Sequence, residues 1–152
     1  WVRPEQMHLT LRFLGDTDTD RLPSIQATMD AVAAGNTPFE MHLESVGCFP
    51  NPRRPRIIWV GLVGEDARLS ALKKALDEAL IPLGRPLENK PFRAHLTLGR
   101  VKDERSAAGI DWTTDVPPLA LIVSALHLIE SELRPNGPVY TERYVSRFSV
   151  DQ

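Results

Sequence analysis

Apolar and polar residues change period several times along this chain, and the changes mark out its elements. Residues 7–14 alternate as a strand does, with Met7, Leu9 and Leu11 between His8, Thr10 and Arg12. From Asp18 to about Ala34 the apolar residues Leu22, Ile25, Met29, Val32 and Ala33 recur at helical spacing. Pro23 is tolerated there in a first turn, and Gly35-Asn36 makes a stop. Phe39, Met41 and Leu43 alternate with Glu40, His42 and Glu44 and predict a half-exposed strand. A loop crowded with proline and arginine follows over 49–56. Residues 57–63, Ile-Ile-Trp-Val-Gly-Leu-Val, are almost wholly apolar and predict a central strand buried on both faces. Leu69, Leu72, Leu76 and Leu80 predict a second helix over 66–83, closed by Gly84. Strands are then expected at 92–100, 119–130 and 139–150, with a loop over 106–118 and a turn at Gly137-Pro138. The order is mixed α and β, with no linker that would divide separate domains.

At 152 residues the chain is long enough to bury a core without disulfide or metal support. Its apolar fraction of 42% and charged fraction of 25% are those of an ordinary globular protein, and no apolar run approaches a membrane span. A net charge of -2 supplies no global attraction to a polyanion, so any affinity for nucleic acid has to be local. Cys48 is the only cysteine, which excludes an internal disulfide and fits a reducing, cytoplasmic setting. No secretory leader is visible, although the sequence starts at Trp1 rather than Met.

Candidate chemistry lies in a repeat. His8-Leu9-Thr10-Leu11 recurs as His95-Leu96-Thr97-Leu98, each with a proline upstream (Pro4, Pro91) and a glycine downstream (Gly15, Gly99). One such tetrapeptide arises by chance in roughly one chain in a thousand of this length, so two point to an internal duplication. On a strand His8 and Thr10 share one face and the leucines the other, and the second copy repeats this. The leucines can anchor each strand while imidazole and hydroxyl project together. Two histidines and two threonines can attack a phosphodiester in line: one imidazole takes a proton from the nucleophile and the other protonates the leaving oxygen. The hydroxyls donate to non-bridging oxygens. Histidine suits both tasks because it titrates near neutral pH.

These residues resemble the two-histidine (2H) phosphoesterases, and most closely the bacterial and archaeal RNA 2′,3′-cyclic phosphodiesterases formerly called 2′-5′ RNA ligases. The matching stretches are 1–15, 46–61 with Arg56 and Trp59, 91–100, and 131–140 with Gly137-Pro138-Val139-Tyr140. The resemblance implies one α+β domain over 1–152, bilobal and pseudo-twofold. Two antiparallel sheets would flank a central groove, with helices outside and one His-x-Thr-x strand from each lobe. It also implies a strand and helix ahead of the segment at which this sequence starts, whose loss would expose an apolar edge. The reaction implied is opening of a terminal RNA 2′,3′-cyclic phosphate to a 2′-phosphomonoester, without metal or cofactor. His95 would be the general base, His8 the general acid, and Thr10 and Thr97 would hold the phosphate. Arg100, five residues after His95, would add a guanidinium to the phosphate. Partners expected are RNA ends or nucleotides bearing the cyclic phosphate, with no membrane and a monomer favoured. Alternatives are a related phosphodiesterase or 2′-5′ ligase acting on another cyclic or 2′-5′ linked nucleotide, and a non-catalytic RNA-end binding module.

Other residues carry weaker signals. His42 lies with Glu40 and Glu44 on a polar strand face and reads as a surface residue, as does His127. No pair of histidines has a short ligand spacing such as His-x-x-x-His, which disfavours zinc. Trp59 and Phe13 are candidates for stacking on a base, against the commoner role of filling a core. Arg53-Arg54-Pro55-Arg56 is a basic patch that could guide an RNA end or keep a loop soluble. Arg93 shares a strand face with His95 and could contact phosphate or sugar.

Overall fold

The computed structural model describes residues 1–150. Two α-helices, α1 (Leu22–Ala34) and α2 (Asp66–Leu80), accompany six strands. These are β1 (Phe39–Phe49), β2 (Ile57–Gly64), β3 (His95–Arg100), β4 (Ala120–Val123), β5 (Ala125–Arg134) and β6 (Gly137–Arg147). One sheet has the order β3-β2-β1-β4 and the other pairs β5 with β6, so the fold is α+β as expected. The chain groups into two compact units. The first holds residues 1–11, 40–64 and 91–121; the second holds 12–39, 65–90 and the chain from 122 onward.

Within the first unit β2 is central, pairing antiparallel with both β1 and β3. The expectation of burial on both faces is corrected. Ile58, Val60 and Leu62 are buried, whereas Ile57, Trp59 and Val63 on the other face are only half-buried. Period two, hidden in the sequence because both faces are apolar, still separates a core face from an accessible one. β1 runs on to Phe49, five residues beyond its predicted end. A bulge between Leu43 and Val46 shifts its phase there, which is why the alternation read from the sequence fades at Glu44. β3 starts at His95 rather than at 92.

Within the second unit α1 buries Ile25, Met29 and Ala33, and α2 buries Leu69, Leu72, Leu76 and Leu80. Pro82 converts the last predicted turn of α2 into a short 3-10 segment, Ile81–Leu83, and Gly84 ends it at φ 82°. Rings of Phe39 and Phe148 stack at 6.3 Å. Arg12, Lys73, Asp77 and Glu88 form an ion network, with Arg12 Nη1 3.2 Å and Lys73 Nζ 3.0 Å from the Asp77 carboxylate. The strand expected over 119–130 is two strands in different sheets, broken at Ser124. The final hairpin turns at Pro135-Asn136, so Gly137 and Pro138 already belong to β6. A two-residue loop is the tightest connection between antiparallel strands. Among the described residues no helix is long and apolar enough to cross a membrane.

Candidate active site

Both histidine motifs belong to the first unit. The second copy is the body of β3; the first, predicted as a strand over 7–14, is extended chain with a single antiparallel bridge, Leu9 to Leu96. The 3-10 turn Pro4–Gln6 limits the pairing, because it carries the chain away from β3 between that bridge and the hydrogen bond from Val2 N–H to the Leu98 carbonyl (2.7 Å). One bridge is enough to set the register. With Leu9 opposite Leu96, His8 stands opposite Thr97 and Thr10 opposite His95, on the face away from the leucines. Opposed Cβ atoms on an antiparallel pair lie about 5 Å apart, and the two histidines occupy a diagonal of about 7–8 Å. All four side chains are half-buried.

The two imidazoles are held alike. His8 Nδ1–H donates to the Gln6 carbonyl at 2.8 Å, and His95 Nδ1–H donates to the Arg93 carbonyl at 2.7 Å. A carbonyl only accepts, so each bond fixes the proton on Nδ1 and leaves Nε2 of the neutral ring as the basic nitrogen. The same ring, once protonated, donates from Nε2. The duplication therefore extends beyond the tetrapeptide to the carbonyl two residues before each histidine.

Arg100 reaches the same face by an irregularity. Strict alternation from His95 would put residue 100 with Leu96 and Leu98. The register slips instead: Thr97 pairs with Trp59, Gly99 with Ile58 and Arg100 with Ile57, leaving Leu98 as an extra residue on β3. Paired residues project to the same side, and Ile57 and Trp59 share a face. Arg100 thus stands on the face that carries Thr97 and His95. It is exposed. Nothing in the local sequence signals this bulge.

An aromatic cluster that the sequence did not reveal surrounds His95. The Phe49 ring lies 5.3 Å from the imidazole at 88°, and the Trp59 ring lies 6.3 Å away at 58°. Phe49 and Trp59 are themselves 5.3 Å apart. The sequence pattern puts Phe49 at the start of a loop, and only the continuation of β1 past its bulge brings it here. The Arg93 guanidinium sits 5.7 Å from the centre of the Trp59 ring. Residues 45–64 and 91–102 contribute Arg53, Arg54, Arg56, Arg93, Arg100 and Lys102 and no carboxylate, so basic side chains concentrate on the segments that flank the motif on β3.

Phe13 is 79% exposed in the second unit, and His127 there donates Nδ1–H to Glu142 Oε2 at 2.8 Å. His42 is half-buried on β1, paired with Val63. Among the described residues no three His, Cys, Asp or Glu side chains are grouped as they would be around a metal ion.

The family model of the 2′-5′ RNA ligase superfamily matches residues 1–135. The chain belongs to that superfamily. An RNA 2′,3′-cyclic phosphodiesterase of Methanothermobacter thermautotrophicus is 36% identical over 152 residues, covering 97% of this chain and 81% of the relative. One from Archaeoglobus fulgidus is 37% identical over 143 residues, covering 93% and 79%. Among solved structures, a protein of Thermus thermophilus superposes with a TM-score of 0.81 at 31% identity, over 99% of this chain and 82% of that one. Escherichia coli LigT complexed with 3′-AMP shares the fold, with a TM-score of 0.74 at 22% identity over 97% and 80%.

Proposed function

We propose that this 2′-5′ RNA ligase superfamily member hydrolyses terminal 2′,3′-cyclic phosphates of RNA to 2′-phosphomonoesters, by acid and base catalysis from His8 and His95 without a metal ion. The observation that carries the reading is the antiparallel apposition of the two His-Leu-Thr-Leu copies, which brings two imidazoles and two hydroxyls to one face. The names of the relatives supply the substrate class.

In the proposed mechanism Nε2 of neutral His95 takes a proton from water as its oxygen bonds to phosphorus. The bond from phosphorus to the 3′ oxygen breaks, and protonated His8 delivers its Nε2 proton to that oxygen. The phosphate remains on the 2′ position. Thr10 and Thr97 donate hydroxyl hydrogens to the non-bridging oxygens, and Arg100 adds a charged donor where negative charge accumulates in the transition state. Since neutral His95 and protonated His8 are needed together, rate against pH should be a bell.

The test is phosphorus NMR of 2′,3′-cyclic AMP incubated with the protein in EDTA. Appearance of the 2′-monophosphate, lost by at least about a hundredfold in folded His8→Ala and His95→Ala variants, is expected. Binding without turnover would mark an RNA-end binding module, and full activity in either variant would remove the two-histidine mechanism.

A further inference from the structure

We propose that Phe49 and Trp59 are positioning residues for His95: they wedge its imidazole into the orientation in which Nε2 faces the reacting phosphate. The proposal rests on the reading of His95 as the general base, and concerns how that base is aimed.

An imidazole on a strand turns about a soft, roughly two-fold torsion. The hydrogen bond that restrains this ring runs from Nδ1–H to the Arg93 carbonyl, two residues back along the chain. A local bond of that kind, on a half-buried side chain, restrains weakly, because water competes for both groups. Ring packing supplies the rest. Phe49 meets the imidazole almost perpendicularly at 5.3 Å, the edge-to-face arrangement that aromatic pairs favour. Trp59 closes a second side at 6.3 Å. A flipped ring, with its nitrogens exchanged for carbons, would lose the Arg93 bond and present a carbon to the phosphate.

Three features show that this cluster is built around the indole. Gly47 faces Trp59 across the β1–β2 pair, and a Cβ placed there would lie 2.4 Å from Cη2 and from Cζ2 of the indole. The bare glycine lets the ring lie across β1. Trp59 Nε1–H is buried and meets no protein acceptor among the described residues, so ring packing, and not a hydrogen bond to the protein, sets the place of the indole. Finally, Arg93 joins the two groups: its carbonyl accepts from His95, while its guanidinium lies against the Trp59 ring. Phe49 and Trp59 are on neighbouring strands of the site face because Gly47 pairs with Trp59 and Phe49 with Ile57.

The experiment uses the full chain and the folded variants Phe49→Leu, Trp59→Leu and Trp59→Phe. It measures kcat and KM with 2′,3′-cyclic AMP, and the His95 imidazole in long-range 1H–15N spectra, which distinguish the Nδ1–H from the Nε2–H tautomer. Expected for Phe49→Leu and Trp59→Leu is a fall of about tenfold in kcat, KM within about twofold, and a mixture of tautomers in place of Nδ1–H. Trp59→Phe, which keeps a ring and drops the unpaired N–H, should restore most of kcat. Unchanged kcat and an unchanged tautomer in both leucine variants would overturn the proposal. So would a raised KM with kcat retained, the signature of a substrate contact. If the unsubstituted protein turns over no cyclic phosphate, the proposed function fails, and the imidazole spectra still decide the positioning role.

Discussion

Leu9 and Leu96 are bridged antiparallel, and this one pairing sets each histidine of the repeat opposite the threonine of the other copy. Thr10→Val and Thr97→Val keep the branched shape that a strand favours and remove only the hydroxyl. Each should leave Tm within a few degrees and lower kcat/KM by about a hundredfold, as loss of one donor to a developing oxyanion does. Steady-state kinetics beside thermal melts check both halves of the expectation.

Arg100 reaches the site face through the extra residue Leu98. Because Arg100 is exposed, Arg100→Ala should hardly alter stability while lowering kcat/KM about ten- to a hundredfold on a 2′,3′-cyclic nucleotide. Arg100→Lys should recover only part, since an ammonium cannot make the planar bidentate contact. Deleting Leu98 would remove the bulge and leave Arg100 opposite Ile57 on the same face, so that variant, once folded, should keep more activity than Arg100→Ala.

The sequence was legible where period and chemistry agreed. Both helices, the central place of β2 and the four motif side chains could be read from spacing, because a strand face and a helix face are set by local geometry. Bulges were not legible. Those in β1 and β3 set the faces on which Phe49 and Arg100 stand, and each depends on how one strand slips against its neighbour, which no single segment encodes. The first motif shows the same limit: its alternation is that of a strand, yet pairing stops at one bridge because the Pro4–Gln6 turn diverts the chain.

Gly47 and Trp59 cannot both keep their places if a methyl is added. Gly47→Ala must displace the indole or part β1 from β2, at a cost of about 1–3 kcal/mol. Denaturant melts would measure it. The tryptophan displacement should show as altered fluorescence, and kcat should fall with KM little changed if the indole aims His95.

Asp77 is the hub of the ion network in the second unit, with Arg12 and Lys73 both on its carboxylate. The side chains of Arg12 and Asp77 are 7% and 12% exposed, so removing the carboxylate takes away one of the two acidic groups that face Arg12 and Lys73 in a poorly solvated place. Asp77→Ala should cost about 3 kcal/mol. Added salt should recover little of it, because partly buried pairs are weakly screened. Asp77→Asn, which keeps hydrogen-bond acceptance but not charge, should fall between the two.

Asp30 gives stability a pH dependence of known sign. Its carboxylate accepts from the Tyr144 hydroxyl and from Ser146 Oγ, each at 2.7 Å, and these bonds hold its pKa below the ordinary 3.8. A group whose pKa is depressed by folding contributes stability that is present above the unfolded value and is lost as pH falls through the folded one. The contribution should therefore be complete above about pH 5 and decline below about pH 4. Replacing both donors, Tyr144→Phe with Ser146→Ala, removes the cause of the shift. The double variant should be less stable than the parent at about pH 6, and the gap should narrow as urea melts are taken down to about pH 3. A gap that stayed constant over that range would mean that the two hydroxyls act by packing and not through the Asp30 charge.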